Sequence, residues 1–494
     1  MTQTAEAASS AVLARYEPVI GLEVHAQLLT RSKMFCGCSA DYTAAAPNDN
    51  TCPVCLGLPG VLPVINRQAI EYAVRTALAL ECEIPSFTKF DRKNYFYPDL
   101  PKGYQISQYD LPLSLNGRLR FEVEGEPASC GITRVHLEED TGTLHHAGDV
   151  LQSATSSLVD LNRCGVPLME IVGEPDLRSA AAAHEYLVRL RQLLVYIGVN
   201  DGNLEKGSFR CDANISMRPR GASEYGVKVE IKNMNSFRAV RLALEYELER
   251  QVAVLDGGGA LTQETRGWVE ARRQTVSQRS KEYAHDYRYF PEPDLPPLRL
   301  DAEFVERVRA TLPELPAARA MRFHEQYQLS RYDAAVLTAA VEDADAFEGL
   351  VDAGVAAKTA ANWLMGDVAA LANEHKVPLH ASGLGVEGLR RLLALVETGT
   401  INAPTAKELL GELYVSGGDA EALVRDRGLA QVSDEAQLAE AIEAAIAANP
   451  DAAADFRAGL EKALGRMVGH VMKATGNKAQ PQLVNRMLRE RLAR

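Results

Sequence analysis

No apolar run in this 494-residue chain approaches the length that crosses a bilayer. The first ten residues lack the basic start and apolar centre of a secretion signal. Both absences point to a cytoplasmic chain, and residues 1–15 read as a disordered tail. The phosphate-cradling pattern G-x-x-x-x-G-K-[ST] is missing, and no G-x-G-x-x-G follows a strand, so any nucleotide is held without a P-loop or a Rossmann turn. No fixed-period repeat occurs, which argues against a solenoid. None of the eight cysteines has a catalytic-thiol signature around it. Positive charge is scarce too: a net charge of −13 excludes a general basic coat for nucleic acid. That deficit is uneven. From Lys462 to Arg494 eight Lys/Arg face one Glu, a local excess of +7 that leaves −20 for the rest. A basic end on an acidic body suits contact with phosphate at chosen places, the alternative being a solvated helix end.

Length allows two to four domains, and 46% hydrophobic with 24% charged residues is ordinary for a globular protein. Four segments alternate apolar and ionisable residues with period two, the signature of strands with one core face and one polar face. In Val19–Gln27 the polar set is Glu23, His25 and Gln27; in Arg134–Asp140 it is Arg134, His136, Glu138 and Asp140. Arg210–Arg218 presents Arg210, Asp212, Asn214, Ser216 and Arg218, and Val227–Lys232 presents Lys228, Glu230 and Lys232. If the four share a sheet, they make a floor of carboxylates, imidazoles and cations able to hold a hard metal ion and a polyphosphate. A merely solvated face is the bland alternative.

Helical periodicity follows Asn66 and recurs over about 179–197 and 236–255, the last stopped by Gly257-Gly258-Gly259. The proline-rich stretch Pro291–Pro297 reads as a domain boundary. Beyond it the chain is rich in Ala and Leu, with helical periodicity and almost no strand signal. The expected fold is α+β: a mixed, largely antiparallel sheet cradle with flanking helices over 16–293, an all-helical domain over 294–406, and a small helical module over 407–494.

Cys36, Cys38, Cys52 and Cys55 form two close pairs joined by a short loop, the spacing of a closed tetrahedral zinc site. A disulfide competes but is rare in a reducing compartment. Cys82, Cys130, Cys164 and Cys211 have no such spacing and read as small buried hydrophobes. Lys89–Tyr104 packs Lys89, Arg92, Lys93 and Lys102 among Tyr95, Phe96, Tyr97 and Tyr104. Cations there can clamp phosphate, and the aromatic faces can stack on a base or a single-stranded end. Arg279–Asp294 repeats this chemistry with His285, Asp286, Arg288 and Tyr289, and between the two lie Asp160, Asn162 and Arg163. A rigid surface loop with tucked aromatics is the alternative.

Seven motifs in order now become recognisable: V-I-G-L-E-V-H, D-R-K-N-Y-F-Y-P-D-L-P-K-G-Y, H-L-E-E-D-T-G, V-D-L-N-R-x-G-x-P-L-M-E, R-C-D-A-N-I-S, E-I-K-N-M-N-S-F and H-D-Y-R-Y-F-P-E-P-D-L. From Tyr16 to Leu492 the chain resembles the B subunits of glutamine-dependent aspartyl/glutamyl-tRNA amidotransferases. The resemblance implies ATP- and Mg²⁺-dependent phosphorylation of the Asp or Glu side chain on misacylated tRNA(Asn) or tRNA(Gln), then amidation by ammonia. It implies Mg²⁺ at Glu23, His25, Glu138 and Glu230, with Asp140, Asp212 and Lys232 as further catalytic residues. Lys89, Arg92, Lys93, Tyr95, Tyr97, Lys102, Asn162, Arg163, His285 and Arg288 are the candidates for phosphate and aminoacyl-end contacts. The chain shows no amidase Ser-Ser-Lys arrangement, so a glutaminase A subunit and a small bridging C subunit are the implied partners. Lys473, Lys478 and Arg486 lie in what resembles the family's tRNA-binding tail. Two other readings use the same residues: a metal-dependent hydrolase, and a non-catalytic tRNA-binding scaffold.

Overall fold

The structure, a computed structural model, describes residues 15–146, 156–280, 284–431, 435–476 and 479–493. Period-two alternation becomes one eight-stranded sheet. Its strands are β1 (Tyr16–Gln27), β2 (Ser114–Val123), β3 (Glu126–Glu139), β4 (Pro167–Gly173), β5 (Phe209–Pro219), β6 (Val229–Lys232), β7 (Glu264–Val269) and β8 (Gln274–Ser280). The spatial order is β8-β7-β6-β5-β1-β4-β3-β2, and only β6 and β7 pair in parallel. The mixed, largely antiparallel cradle is therefore as expected, and all four alternating segments lie in it. β6 starts at Val229, which leaves Lys228 exposed just ahead of the strand.

The apolar face carries Leu22, Val24, Val135, Leu137, Ile171, Ala213, Ile215 and Ile231, all within the buried core. Helices Arg67–Ala79, Ala180–Tyr196 and Phe237–Asp256 contribute Val74, Leu190 and Leu244 to the same core. Each starts where its cap predicts: the side chains of Asn66, Ser179 and Ser236 accept backbone N–H bonds from the first turn. Burying the apolar face under helices leaves the other face free for polar chemistry.

Two boundaries differ from the expectation. The cradle forms one compact unit through Leu315, with Pro316–Arg494 forming the second. Pro291–Pro297 does not end the cradle, because Leu295 and Leu300 enter its core and Leu298–Arg299 pairs with Phe87–Thr88. Helix Ala302–Arg309 follows it there through Val308. In the second unit, the expected break at 406/407 falls inside helix Ala403–Ser416, whose Leu409, Leu410 and Leu413 belong to a core running from Phe323 to Val424. A separate small core begins at Leu438 and ends at Leu492. No helix among the described residues is long and apolar enough to cross a membrane. Residues 1–14, most of the expected tail, lie outside the described residues.

Candidate active site and metal centre

On the polar face, register places His136 (β3), Glu170 (β4), His25 (β1) and Arg210 (β5) side by side across four strands. His25 Nε2 lies 3.5 Å from Glu170 Oε2 and 3.8 Å from Glu138 Oε1. The ligand atoms of His25, Glu138 and Glu170 all fall within 4.8 Å of one another. Burial alone would depress the His25 imidazole, but hydrogen bonding and charge from Glu170, then charge from Glu138, raise it to about 9. Burial would raise Glu170, yet His136 and His25 hold its carboxyl well below the usual range. Glu138 is buried and accepts from Ser107 Oγ at 3.2 Å.

Glu170 was not among the residues expected here, and two that were stand apart. Glu23 accepts from Asn214 Nδ2 at 2.8 Å, and Glu230 accepts from Thr265 Oγ1 at 2.7 Å. Neither joins the His25–Glu138–Glu170 trio among the described residues. Glu23 sits beside Asp212 in register, and Lys232 reaches Asp212 at 2.5 Å and Glu230 at 3.6 Å. Burial lowers the Lys232 pKa, but the Asp212 and Glu230 charges prevail and raise it. Glu23, Asp212, Glu230 and Lys232 thus form a second polar group on the same face. Asp140 is enclosed: it accepts from Gln27 Nε2 at 2.7 Å and Arg210 Nη2 at 2.9 Å, and Arg163 lies 3.7 Å away. Burial would raise its carboxyl, while the two guanidiniums, Arg210 first, lower it.

The two cation–aromatic blocks meet in one small sheet, where Phe290–Pro291 pairs with Asp91–Asn94, which pairs with Tyr104–Ser107. That sheet leans on the end of β3 through Ile106 N–H to Glu139 and Ser107 to Glu138. Tyr109 and Tyr289 stack at 4.1 Å, and Tyr95 meets Tyr287 edge-on at 6.0 Å. Most of the cations are spoken for. Lys89 pairs with Asp91 and Asp110, Arg92 binds buried Glu292 through two bonds of 2.6 and 2.9 Å, and Lys102 pairs with buried Glu139. Lys93 differs: it lies 5.0 Å over the Tyr287 ring and 5.9 Å over Tyr95. Burial would lower its pKa, but the Glu138 charge, followed by other neighbours, keeps it well above the usual value. Lys93 is therefore the cation of this block that faces the trio.

Asn162 and Arg163 are braces. Asn162 binds Ala46 O and Asn50 N, and Arg163 donates to Thr141 O and Gly142 O. Tyr95 OH donates to Gln105, whereas Tyr97 is 54% exposed. Arg288 has a left-handed backbone at φ 45° and supplies its carbonyl to Asn94. The His285 side chain and Lys478 lie outside the described residues. Lys473 and Arg486 are exposed on helices Leu464–Ala474 and Pro481–Leu492.

The four cysteines come together as their spacing predicted. Sγ of Cys55 lies 3.6, 3.7 and 3.9 Å from those of Cys36, Cys52 and Cys38. These distances are too long for an S–S bond of ~2.05 Å. They match the ~3.8 Å edge of a tetrahedron with Zn–S of ~2.3 Å. The cysteines are free, and Cys55 is the buried one of the four. A hydrogen bond with Cys36, aided by Lys33, holds the Cys55 thiol down to about 4, while Cys36 is pushed up. Lys33, 1% exposed, donates to Asn50 O at 2.8 Å and Cys55 Sγ at 3.5 Å. The knuckle reaches the polar face through backbone: Met34 N–H binds Gly165 O, and Gly165 N–H binds Asp140 O. Gly165 turns with φ +83°, the left-handed region that favours glycine.

Residues 18–306 match the GatB/GatE catalytic domain family, and residues 345–492 match a GatB domain family. The B subunit of the aspartyl/glutamyl-tRNA(Asn/Gln) amidotransferase of Moorella thermoacetica is 54% identical, over 97% of this chain and 100% of its own length. Its namesake from Thermomicrobium roseum is 55% identical over 97% of this chain and 99% of its own, and that from Carboxydothermus hydrogenoformans is 51% identical with the same coverage. The matches span the sheet that carries the trio and the helical unit with the basic end, and on them the chain belongs to the GatB/GatE family of amidotransferase B subunits.

Proposed function

We propose that this chain activates and amidates the side-chain carboxylate of Asp or Glu carried on tRNA(Asn) or tRNA(Gln), working with a glutaminase subunit and a small third subunit. The observation that carries the reading is the His25–Glu138–Glu170 trio with Lys93 beside it. Two carboxylates and an imidazole whose ligand atoms all lie within 4.8 Å of one another would hold a divalent cation, and the paired carboxylates suit Mg²⁺. His25, Glu138 and Glu170 would hold such an ion, His25 giving up its proton to do so, and the ion would supply positive charge for phosphate oxygens.

In the first step the substrate carboxylate oxygen bonds to the γ-phosphorus of ATP, and ADP leaves. In the second, ammonia bonds to the acyl carbon, the bond to phosphate breaks, and the surplus proton on nitrogen passes to a base. The protein's task is positioning and charge. Lys93 supplies a fixed ammonium for the transferred phosphoryl group, while Tyr95 and Tyr287 hold it in place. Glu138, fixed by Ser107, orients ammonia and takes its surplus proton. Glu23, Asp212, Glu230 and Lys232 extend the floor toward the aminoacyl group. Arg92, Lys89 and Lys102 shape the block through their own ion pairs rather than through phosphate. The Cys36–Cys55 knuckle holds zinc, and Lys473, Lys478 and Arg486 contact tRNA phosphate. The test is Glu138→Gln in the assembled complex: tRNA affinity stays at the wild-type value while phosphate release and amide product fall at least ~100-fold. Wild-type turnover by that variant would favour a non-catalytic scaffold, and ATP or amide hydrolysis without tRNA would favour a metal-dependent hydrolase.

A further inference from the structure

Glu170 stands between two histidines, and they are not equivalent. Its Oε2 lies 3.3 Å from His136 Nε2 and 3.5 Å from His25 Nε2. His25 also faces Glu138 and belongs to the trio, whereas the His136 nitrogens fall outside it. His136 is 2% exposed, and no hydrogen-bond partner among the described residues reaches its Nδ1. Glu170 is thus its one polar attachment among the described contacts. A buried imidazole with an unmet acceptor is a net cost that an apolar side chain of similar size would avoid. Along β4 the same-face neighbours of Glu170 are Leu168 and Val172, and neither can orient a carboxylate; across the strands it faces only His136 and His25.

We propose that His136 is a positioning residue: its imidazole donates the Nε2 proton to Glu170 and thereby aims that carboxylate at the site shared with His25 and Glu138. Metal-ligating carboxylates are commonly fixed by such an outer donor, and removing one weakens metal binding by ~10–100-fold. The inference rests on the reading of the trio as a divalent-cation site. It separates the jobs of the two histidines: His25 offers a lone pair to the ion, and His136 offers a proton to the ligand.

Two substitutions discriminate. In His136→Gln the amide nitrogen sits where Nε2 was and still reaches Glu170. In His136→Asn the amide sits where Nδ1 was and falls short. The probe is Mn²⁺, titrated into the full-length chain and followed by the electron paramagnetic resonance of the free ion, with Glu170→Ala as the blank and thermal melting recorded for each variant. His136→Gln is expected within ~3-fold of wild type, and His136→Asn ~10–100-fold weaker with a melting temperature close to that of His136→Gln. Wild-type affinity in His136→Asn, or equal weakness in both variants, overturns the inference. If His136→Asn does not fold, His136→Gln decides alone: a tenfold loss there overturns it, and retained affinity supports it. If wild type binds no more Mn²⁺ than Glu170→Ala, the cation-site reading itself fails and takes this inference with it.

Discussion

Replacing Cys55 with serine should cost the protein more than replacing Cys52, although each removes one thiolate from the same knuckle. Both variants should lose the metal, since a closed tetrahedral site needs all four sulfurs. The difference lies in Lys33. Its ammonium is 1% exposed and meets the Cys55 sulfur at 3.5 Å, while Cys52 touches Cys55 and not Lys33. At an effective dielectric of ~20, a unit charge pair at that distance attracts with roughly 5 kcal/mol. Removing one member of a buried pair costs about 3–5 kcal/mol, and because Asn50 O still accepts from Lys33 the lower end applies. Cys55→Ser is therefore expected to be about 3 kcal/mol less stable than Cys52→Ser. At ~2 °C per kcal/mol for a unit of this size, its melting temperature falls about 6 °C lower. The assay is zinc content by a chromogenic chelator together with thermal melting of the two variants. Equal melting temperatures, with zinc absent from both, would refute the role given to Lys33. Absence of zinc from wild-type protein purified without chelator would refute the metal assignment.

Three further outcomes follow from the same contacts. Arg92→Met strands buried Glu292, so the cradle should lose ~3–5 kcal/mol of stability while the KM for ATP in the surviving folded enzyme stays unchanged; a raised KM at unchanged stability would return Arg92 to the phosphate site. Lys93→Met should leave melting almost unaltered and lower kcat at least ~100-fold, read as acyl-phosphate formation in single-turnover experiments. Lys473→Ala should weaken tRNA binding and reduce the slope of log affinity against log salt by about 1, with amidation at saturating tRNA unchanged.

Much of the cradle was legible because its strands obey a simple rule. β1, β3, β5 and β6 each bury one face under helices and keep ionisable residues on the other, so alternation alone identified the face that carries Glu138 and His25. β4 broke the rule. In Pro167-Leu-Met-Glu-Ile-Val-Gly173, Leu168 and Val172 share the polar face with Glu170, so the strand reads as continuously apolar and its one carboxylate goes unremarked. Partner choice was illegible for another reason: Glu292 meets Arg92 from two hundred residues away, and no local pattern says which of four neighbouring cations is already neutralised. Lys33 is hidden likewise, because nothing in its flanking residues signals burial against a thiol. Proline misled at 291–297, where it shapes short edge strands instead of ending the domain. The cysteine spacing succeeded in bringing the four thiols together because two close pairs on one short loop have little room to part.

Activation and amidation are both assigned to this chain's own polar face. The most direct measurement of that assignment supplies misacylated tRNA, ATP, Mg²⁺ and free ammonium to the assembled complex with its glutaminase silenced, and follows phosphate and amidated tRNA together. The expected result is one phosphate per amide formed, both dependent on ATP, Mg²⁺ and misacylated tRNA, and both lost in Glu170→Gln. Amide formation without ATP, or full turnover in Glu170→Gln, would contradict it.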